Sequence, residues 1–218
     1  ALISEPLRVA GAAATAQGPV AGSTIDGGIE SYLAIPYVAP PLGTLRWRGR
    51  LDFLLHSIAF APAPDLQGRV ADTSREGFMR AMDISCHSFI RMARLAEPLM
   101  DNGGTLLTMT YLGANKVVPN YGVMGPVKAS LEAVVRYLAT EFGPRGIRVH
   151  AVSPGPIKTR AASGIPDFDE LFEQARRRAP LTREVEIDDV GSLCAFLVSD
   201  AAQAITGDVH YIDGGFHI

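Results

Sequence analysis

Two tyrosines and a lysine between residues 111 and 128 have types and a spacing suited to proton transfer. Tyr121 and Lys128 lie seven residues apart, close to two helical turns, so a helix would place them on one face. Because an ammonium beside a phenol favours the phenolate, we expect a lowered pKa for Tyr121, which could then exchange protons near neutral pH. The spacing alone is more typical of two amphipathic tyrosines and a solvated lysine.

The elements that would position these residues alternate along the chain from Leu51 onward. Short β-rich runs, which we expect to be buried on both faces, cover 51–58, 104–111, 147–154 and 207–213. Helical spacing covers 74–100, 121–142 and 186–199, and "PDFDELFEQARRRA" predicts a helix inside an insertion at 155–180. The alternation predicts an α/β fold with a parallel sheet and flanking helices. Tyr111 then ends the second strand, where such sheets place ligand-contacting groups.

Residues 1–50 have a different character, which predicts two domains, 1–50 and 51–218. "GPVAGSTIDGGIESYLAIPY" predicts a β-hairpin around Asp26-Gly27-Gly28, and "VAPPLGTLRWRGR" predicts an irregular segment that is rich in Pro and Gly.

Composition excludes several classes of function. With 218 residues, 47% apolar residues and a net charge of −3, the chain predicts a globular protein that binds neither nucleic acid nor anionic membranes. Cys86 and Cys194 are far apart and predict free thiols, and the five histidines show no metal-ligand spacing. With no leader and no apolar run long enough to span a bilayer, we expect a cytoplasmic protein.

Several stretches of the second region resemble one known family. They are "HSIAFAP", "LLTMTYLGA", "PNYGVMGPVKASLEA", "SPGPIKTRAASGI" and "GDVHYIDGGF". Residues 51–218 resemble the NADH-type enoyl-acyl-carrier-protein reductases of the short-chain dehydrogenase/reductase superfamily. The resemblance implies a Rossmann-like fold, an NAD(H) cofactor and an acyl substrate. It also implies a homo-oligomer, either a dimer or a tetramer, built through the helices at 74–100 and 121–142.

The resemblance also assigns roles to individual residues. Tyr121 would contact the enoyl thioester carbonyl, Tyr111 would lie beside the substrate, and Lys128 would hold the nicotinamide ribose. Further cofactor-binding residues would be Ser57, Ile58, Ala59, Ile157 and Thr159, although the family usually has glycine where this chain has Ala59. The substrate pocket would be formed by Met124, Pro156, Ala161, Ala162 and Ile165, the last three in the family's mobile substrate loop.

The resemblance begins at the family's fourth strand, so we expect a truncated Rossmann-like sheet. The glycine-rich turn that receives a pyrophosphate is not found in residues 1–50, and we therefore expect NAD(H) binding to be weakened. Residues 17–48 instead resemble the N-terminus of type-B carboxylesterases, which would make the chain a fusion. The strand at 51–58 would then be a bare edge, which we expect the hairpin and subunit association to cover.

Three functions are therefore open. The first is NADH-dependent enoyl reduction. The second is a cofactor-independent hydrolase acting on an ester, thioester or lactam, with Tyr121 as base or nucleophile and Ser57, Ser85 or Ser153 as candidate hydroxyls. The third is an inactive or binding-only remnant. No GxSxG motif occurs, so no esterase triad is assigned. We expect His56 to be a satisfied core histidine and Glu132 to face the surroundings of its helix.

Overall fold

The computed structural model describes residues 50–157 and 168–218, together with the backbone of three strands near the N-terminus. The chain divides into two compact units, Ala1–Gly49 and Arg50–Ile218. In the first unit, antiparallel strands pair in the order β1 (Val9–Thr15), β2 (Gly18–Ile25) and β3 (Ile29–Tyr32). The pairing of β2 with β3 confirms the predicted hairpin, whereas β1 was not predicted. The predicted irregular segment, residues 38–50, lies outside the described residues except for Arg50.

The second unit is built on a parallel sheet of four strands in the order β4-β5-β6-β7. Its strands are β4 (Phe53–His56), β5 (Gly104–Met109), β6 (Ile147–Pro154) and β7 (Val209–Ile212). The predicted α/β class and parallel sheet are confirmed. Of the four predicted strands, β6 matches its predicted range to the residue, and the other three are shorter than predicted.

Helices cover both faces of this sheet. They are α1 (Ala63–Gln67), α2 (Arg75–Met82), α3 (Ser88–Ala96), α4 (Met124–Phe142), α5 (Phe168–Arg178) and α6 (Ile187–Val198). Neighbouring strand residues point to opposite faces, so Leu106 packs in the core beneath α3 and α4, and Leu107 packs against α6. No helix among the described residues is both long and apolar enough to cross a bilayer.

The expectation that every strand is buried on both faces is wrong for β4. His56 is buried, but the side chains of Phe53 and Leu55, on the opposite face, are 40% and 45% exposed. Strand β4 lies at the edge of its sheet, where it pairs with β5, and its alternating burial is that of a strand with one face covered. The central strands β5 and β6 are buried as predicted.

The predicted helix at 74–100 is confirmed from Arg75 to Leu99, but it is not α-helical throughout. A π-helical turn, Asp83–His87, separates α2 from α3, and a 3-10 turn follows α3 at Glu97–Leu99. The π turn buries both Ser85 and Cys86. The Ser85 hydroxyl donates to the carbonyl of Phe60 and accepts from its N–H, at 3.0 and 2.8 Å, so the turn is bonded to the segment that follows β4. Such turns are frequent at functional sites.

Helix α4 begins at Met124 and not at Tyr121 as predicted. Asn120 and Gly122 have φ angles of 60° and 42°, in the left-handed region that a right-handed helix cannot include. A Cβ at residue 122 would also overlap the Leu66 carbonyl oxygen. Tyr121 therefore lies in a tight turn before the helix, and its position depends on that turn.

Two histidines meet between the neighbouring strands β6 and β7. His150 Nδ1 lies 3.1 Å from His210 Nε2. His150 is fully buried, and burial lowers its pKa to about 4, with the nearby His210 and Arg148 lowering it further and Asp208 acting in the opposite direction. His150 is therefore neutral in the folded protein at physiological pH.

We expect the free energy of unfolding to fall as the pH is lowered from 6.5 towards 4. The unfolded chain protonates His150 near its ordinary pKa of 6.5, whereas the folded chain does so only near 4, so acid favours unfolding. The loss by pH 5 should be about 2 kcal/mol from this residue. Urea unfolding at pH 7 and pH 5 measures it. The variant His150→Gln should lose that part of the pH dependence, while His87→Gln, at an exposed position, should keep it. Equal slopes in the two variants would contradict the assignment.

Candidate functional site

Four loops meet along the edge formed by the carboxyl ends of the strands, because all four strands are parallel. Ser57–Ala59 follow β4, Tyr111 lies just beyond β5, Gly155–Ile157 follow β6, and Asp213 follows β7. This is the edge where open parallel sheets bind ligands, and it holds most of the residues to which the sequence assigned chemistry.

The three predicted catalytic residues are brought together here. The rings of Tyr111 and Tyr121 meet edge to face, with their centroids 5.1 Å apart. Lys128, on the second turn of α4, is buried and donates from Nζ to the carbonyl of Met109 at 2.7 Å. Met124, which was assigned to the substrate pocket, is buried in the same hydrophobic cluster as Tyr121. The arrangement joins two phenols, an ammonium and a thioether side chain.

The expected lowering of the Tyr121 pKa is wrong. Burial raises the pKa of Tyr121 well above its ordinary value, and the neighbouring Tyr111 and Glu132 raise it further. Burial likewise raises the pKa of Tyr111 to about 12, with a contribution from Asp213. Lys128 responds in the opposite sense, because burial lowers its pKa to about 8. At neutral pH the site therefore contains two protonated phenols and an ammonium that is close to losing its proton.

His56 is the satisfied core histidine that the sequence predicts. Its Nδ1 lies 2.9 Å from the Thr108 hydroxyl, and its Nε2 lies 2.7 Å from the Ser88 hydroxyl. The Ser88 hydroxyl donates its proton to the Ile84 carbonyl, so Nε2 carries the imidazole proton and Nδ1 accepts from Thr108. Burial, with the Lys128 charge nearby, lowers the pKa of His56 to about 4. The imidazole is therefore neutral and fixed.

Glu132 is the residue that sequence reasoning missed. It was expected to face the surroundings of its helix, but its side chain is buried. Its two carboxylate oxygens accept from Thr110 Oγ1 at 2.7 Å and from Asn115 Nδ2 at 2.9 Å. The signal available in the sequence was its spacing of four residues from Lys128, which places both on one face of α4.

The predicted cofactor-binding residues follow β4 and β6, the two strands on either side of β5. Ser57 and Ala59 are exposed and Ile58 is half-buried, in the loop next to Phe60. Beyond β6, Ile157 lines a groove with Phe172 of α5 and residues 184–188. Their contacts with a cofactor stay predictions.

The predicted substrate pocket is only partly covered by the described residues. Pro156 is buried and lines a small cavity together with Phe172, Ala175 and Asp213. Met124 does not line this cavity. Thr159 of the cofactor set and Ala161, Ala162 and Ile165 of the pocket set lie outside the described residues.

The donor set fits the nicotinamide end of a dinucleotide. An ammonium has three N–H donors, and the Met109 carbonyl takes one of them, so Lys128 retains capacity to donate to ribose hydroxyls. Within the described part of the chain, the buried hydroxyls of Tyr111 and Ser153 have no hydrogen-bond partner. Buried hydroxyls are normally paired, so these two are suited to contacts with a bound ligand. Over the same described residues, no group of three or more His, Cys, Asp or Glu side chains is placed to hold a metal ion.

Comparison with known proteins gives one consistent family. A profile described as Enoyl-(Acyl carrier protein) reductase matches residues 44–217. The chain is 52% identical over 172 residues to the enoyl-acyl-carrier-protein reductase (NADH) 1 of Rhizobium meliloti strain 1021, covering 79% of this chain and 63% of that protein. The chain spans 63–66% of the length of the curated relatives that it matches.

Solved structures agree with the sequence matches. The Bacillus cereus enoyl-acyl carrier protein reductase, with NADP+ and indole naphthyridinone, superposes with a TM-score of 0.76 at 47% identity, over 77% of this chain and 65% of that one. The Anaplasma phagocytophilum reductase in complex with NAD gives a TM-score of 0.72 at 45% identity, over 77% of this chain and 62% of that one.

Gly113 packs so closely against the site that a methyl group there should be destabilising. A Cβ at residue 113 would overlap the Tyr121 ring, whereas a Cβ at Gly191, inside α6, would meet nothing within 4 Å. We expect Gly113→Ala to lower the free energy of unfolding by about 1–3 kcal/mol, and Gly191→Ala to leave it unchanged or raise it slightly. Chemical denaturation of both variants measures the difference. Equal stability would show that the Tyr121 ring is free to move away.

Proposed function

Because the chain belongs to the enoyl-(acyl carrier protein) reductase family, we propose that it reduces the double bond of an enoyl thioester on acyl carrier protein, with NADH as reductant. The observation that carries this proposal is the cluster of Tyr111, Tyr121 and Lys128 at the ligand-binding edge of the sheet. The names of the relatives supply the substrate and the cofactor, and the donor set of this chain is compatible with both.

Lys128 would hold the cofactor. When bound, NADH supplies the hydride that is added to the β-carbon of the enoyl thioester. The Met109 carbonyl fixes the ammonium of Lys128 from one side, so its remaining N–H groups are available to the ribose hydroxyls. The loop Ser57–Ala59 and residues Ile157 and Thr159 would line the rest of the nicotinamide end.

Tyr121 would stabilise the charge that develops on the substrate. As the β-carbon gains a hydride, an electron pair moves to the thioester carbonyl oxygen, and a phenol that donates to this oxygen lowers the barrier. Burial keeps Tyr121 protonated at neutral pH, which is the form that can donate. Tyr111, in edge contact with it, has a buried hydroxyl without a partner among the described residues and would border the same substrate.

No observation favours the hydrolase alternative. A phenol with a raised pKa is a poor base and a poor nucleophile at neutral pH. Of the candidate serines, Ser85 is engaged with Phe60 and Ser57 is exposed. The Ser153 hydroxyl is buried and has no hydrogen-bond partner among the described residues, so no base is in place to activate it.

Several features of the proposal go beyond what membership of the family establishes. The acyl-carrier-protein substrate and the homo-oligomer stay proposals, and exposed apolar side chains on the helices expected to associate are compatible with an oligomer. These are Phe78, Met79, Leu95 and Tyr137. The weakened cofactor affinity, the esterase likeness of residues 17–48 and the cytoplasmic location stay predictions.

The substitution Tyr121→Phe should abolish most of the reductase activity without unfolding the protein. Loss of a hydrogen bond to the developing oxyanion should reduce kcat by about 10²–10³-fold. Oxidation of NADH by a crotonyl thioester, followed by absorbance, measures it. Tyr137→Phe is the matched control because Tyr137 is 72% exposed on α4. Retention of full activity in Tyr121→Phe would contradict the assigned role, and absence of activity in the unmodified chain would contradict the proposed function.

The affinity for NADH should fall as the pH rises through 8. Since burial lowers the Lys128 pKa to about 8, the ammonium that holds the ribose is present at pH 7 and largely lost at pH 9. We expect the dissociation constant to rise about tenfold over that interval. Titration followed by nicotinamide fluorescence measures it. Lys128→Ala should bind weakly at both pH values, and a variant that kept the same pH dependence would assign the titration to another group.

A further inference from the structure

Glu132 is a buried carboxylate that the proposed reaction does not use. It is 5% exposed and lies one helical turn beyond Lys128 on α4. Burial of a carboxylate is costly unless hydrogen bonds compensate for the lost water, so the contacts that hold it indicate what it does.

Those contacts reach both ends of one short segment. Thr110, immediately before Tyr111, donates to one oxygen, and Asn115, at the end of the following 3-10 turn, donates to the other. Between them, the Ala114 N–H donates to the carbonyl of Tyr111 at 2.9 Å, and this bond closes a backbone turn. A single carboxylate thus ties the whole segment 110–115 to α4, the helix that also carries Lys128.

We propose that Glu132 is a positioning residue for Tyr111, which it holds beside Tyr121 by binding the segment 110–115 at both ends. The inference rests on the proposed function for its catalytic readout. Glu132 does not touch the reacting groups in this role and acts through Thr110 and Asn115.

The geometry explains why Tyr111 needs such support. Within the described residues its hydroxyl has no hydrogen-bond partner, so no polar contact of its own side chain fixes the ring. Its orientation depends on apolar packing, including its edge contact with Tyr121, and on the backbone of the segment. Asn115 Nδ2 also lies 3.2 Å from the Tyr211 hydroxyl at the end of β7, which links the segment to a second strand.

Hydrogen-bonding capacity should matter more than charge at this position. In Glu132→Gln, the amide oxygen can accept from Asn115, and the amide N–H can donate to the Thr110 hydroxyl, which then accepts. This variant keeps the two links and removes the charge. Glu132→Ala removes both links and leaves two buried donors unpaired.

A double-mutant cycle tests the proposal with the full chain, crotonyl thioester and NADH. At pH 6, well below the Lys128 pKa of about 8, Lys128 stays charged after the favourable Glu132 charge is removed. There we expect Glu132→Ala to lower kcat by about tenfold or more, with the NADH dissociation constant changed by less than about twofold. In the background of Tyr111→Phe, Glu132→Ala should cause no further loss of kcat, because its effect passes through Tyr111. Glu132→Gln should retain most of the activity. Fully additive losses, or a Gln variant as impaired as the Ala variant, would overturn the proposal.

Amide hydrogen exchange supplies a readout that does not depend on activity. The peptide covering residues 110–116 should exchange at least about tenfold faster in Glu132→Ala than in the unmodified chain, and Glu132→Gln should stay near the unmodified rate. If Glu132→Ala does not fold, Thr110→Val cuts one link while keeping the carboxylate, and it should show the same change in smaller measure. An unmodified chain without reductase activity, but with this exchange pattern, would refute the proposed function and leave the positioning role intact. Unchanged exchange in every variant would refute the positioning role itself.

Discussion

The ammonium of Lys128, buried beside the carboxyl end of the sheet, is the constraint that the rest of the site satisfies. Removing such a charge from water costs several kcal/mol unless partners compensate. The Met109 carbonyl provides one direct bond, and the electrostatic effects of Cys86 and Glu132 favour the charged form. Burial remains the largest influence, and it brings the pKa down to about 8. The charged form of Lys128 therefore predominates at neutral pH by a narrow margin. A second positive charge nearby would lower its pKa further and favour the neutral amine.

This narrow margin requires the groups around Lys128 to carry no positive charge. His56, whose pKa the Lys128 charge helps to lower, has its tautomer fixed by Ser88 and Thr108 and stays uncharged. Tyr111 and Tyr121 keep their protons because burial raises the pKa of both phenols, and the nearby Asp213 and Glu132, respectively, raise it further. The cation and the neutral phenols donate hydrogen bonds and do not remove protons, and the carboxylate of Glu132 is already engaged by Thr110 and Asn115. Such a site is suited to stabilising negative charge on a carbonyl oxygen and is poorly suited to activating water.

The sequence predicted the elements of this site better than its electrostatics. Periodicity located β5, β6 and α4 to within a few residues, because strand and helix periods are properties of local sequence. It could not predict the left-handed turn at Asn120 and Gly122, which depends on backbone angles, or the π turn at Asp83–His87, which depends on Ser85 meeting a distant carbonyl. The sign of the Tyr121 shift was wrong for a related reason. Spacing indicates which charge is near, whereas depth of burial, which decided the result, is a property of the folded core.

Much of the candidate chemistry depends on the junction between the end of β5 and helix α4. Three successive residues bind α4 or the turn before it in different ways. Met109 accepts from Lys128 through its carbonyl, Thr110 donates to Glu132 through its hydroxyl, and Tyr111 contacts the Tyr121 ring. Thr110 is also fixed from the other side, since its N–H donates to the Val152 carbonyl of β6 at 2.8 Å. A shift of β5 by one residue relative to α4 would break all three contacts together. The positions of the ammonium and of both phenols are therefore set by a single strand–helix register, which the parallel pairing of β5 with β6 holds in place.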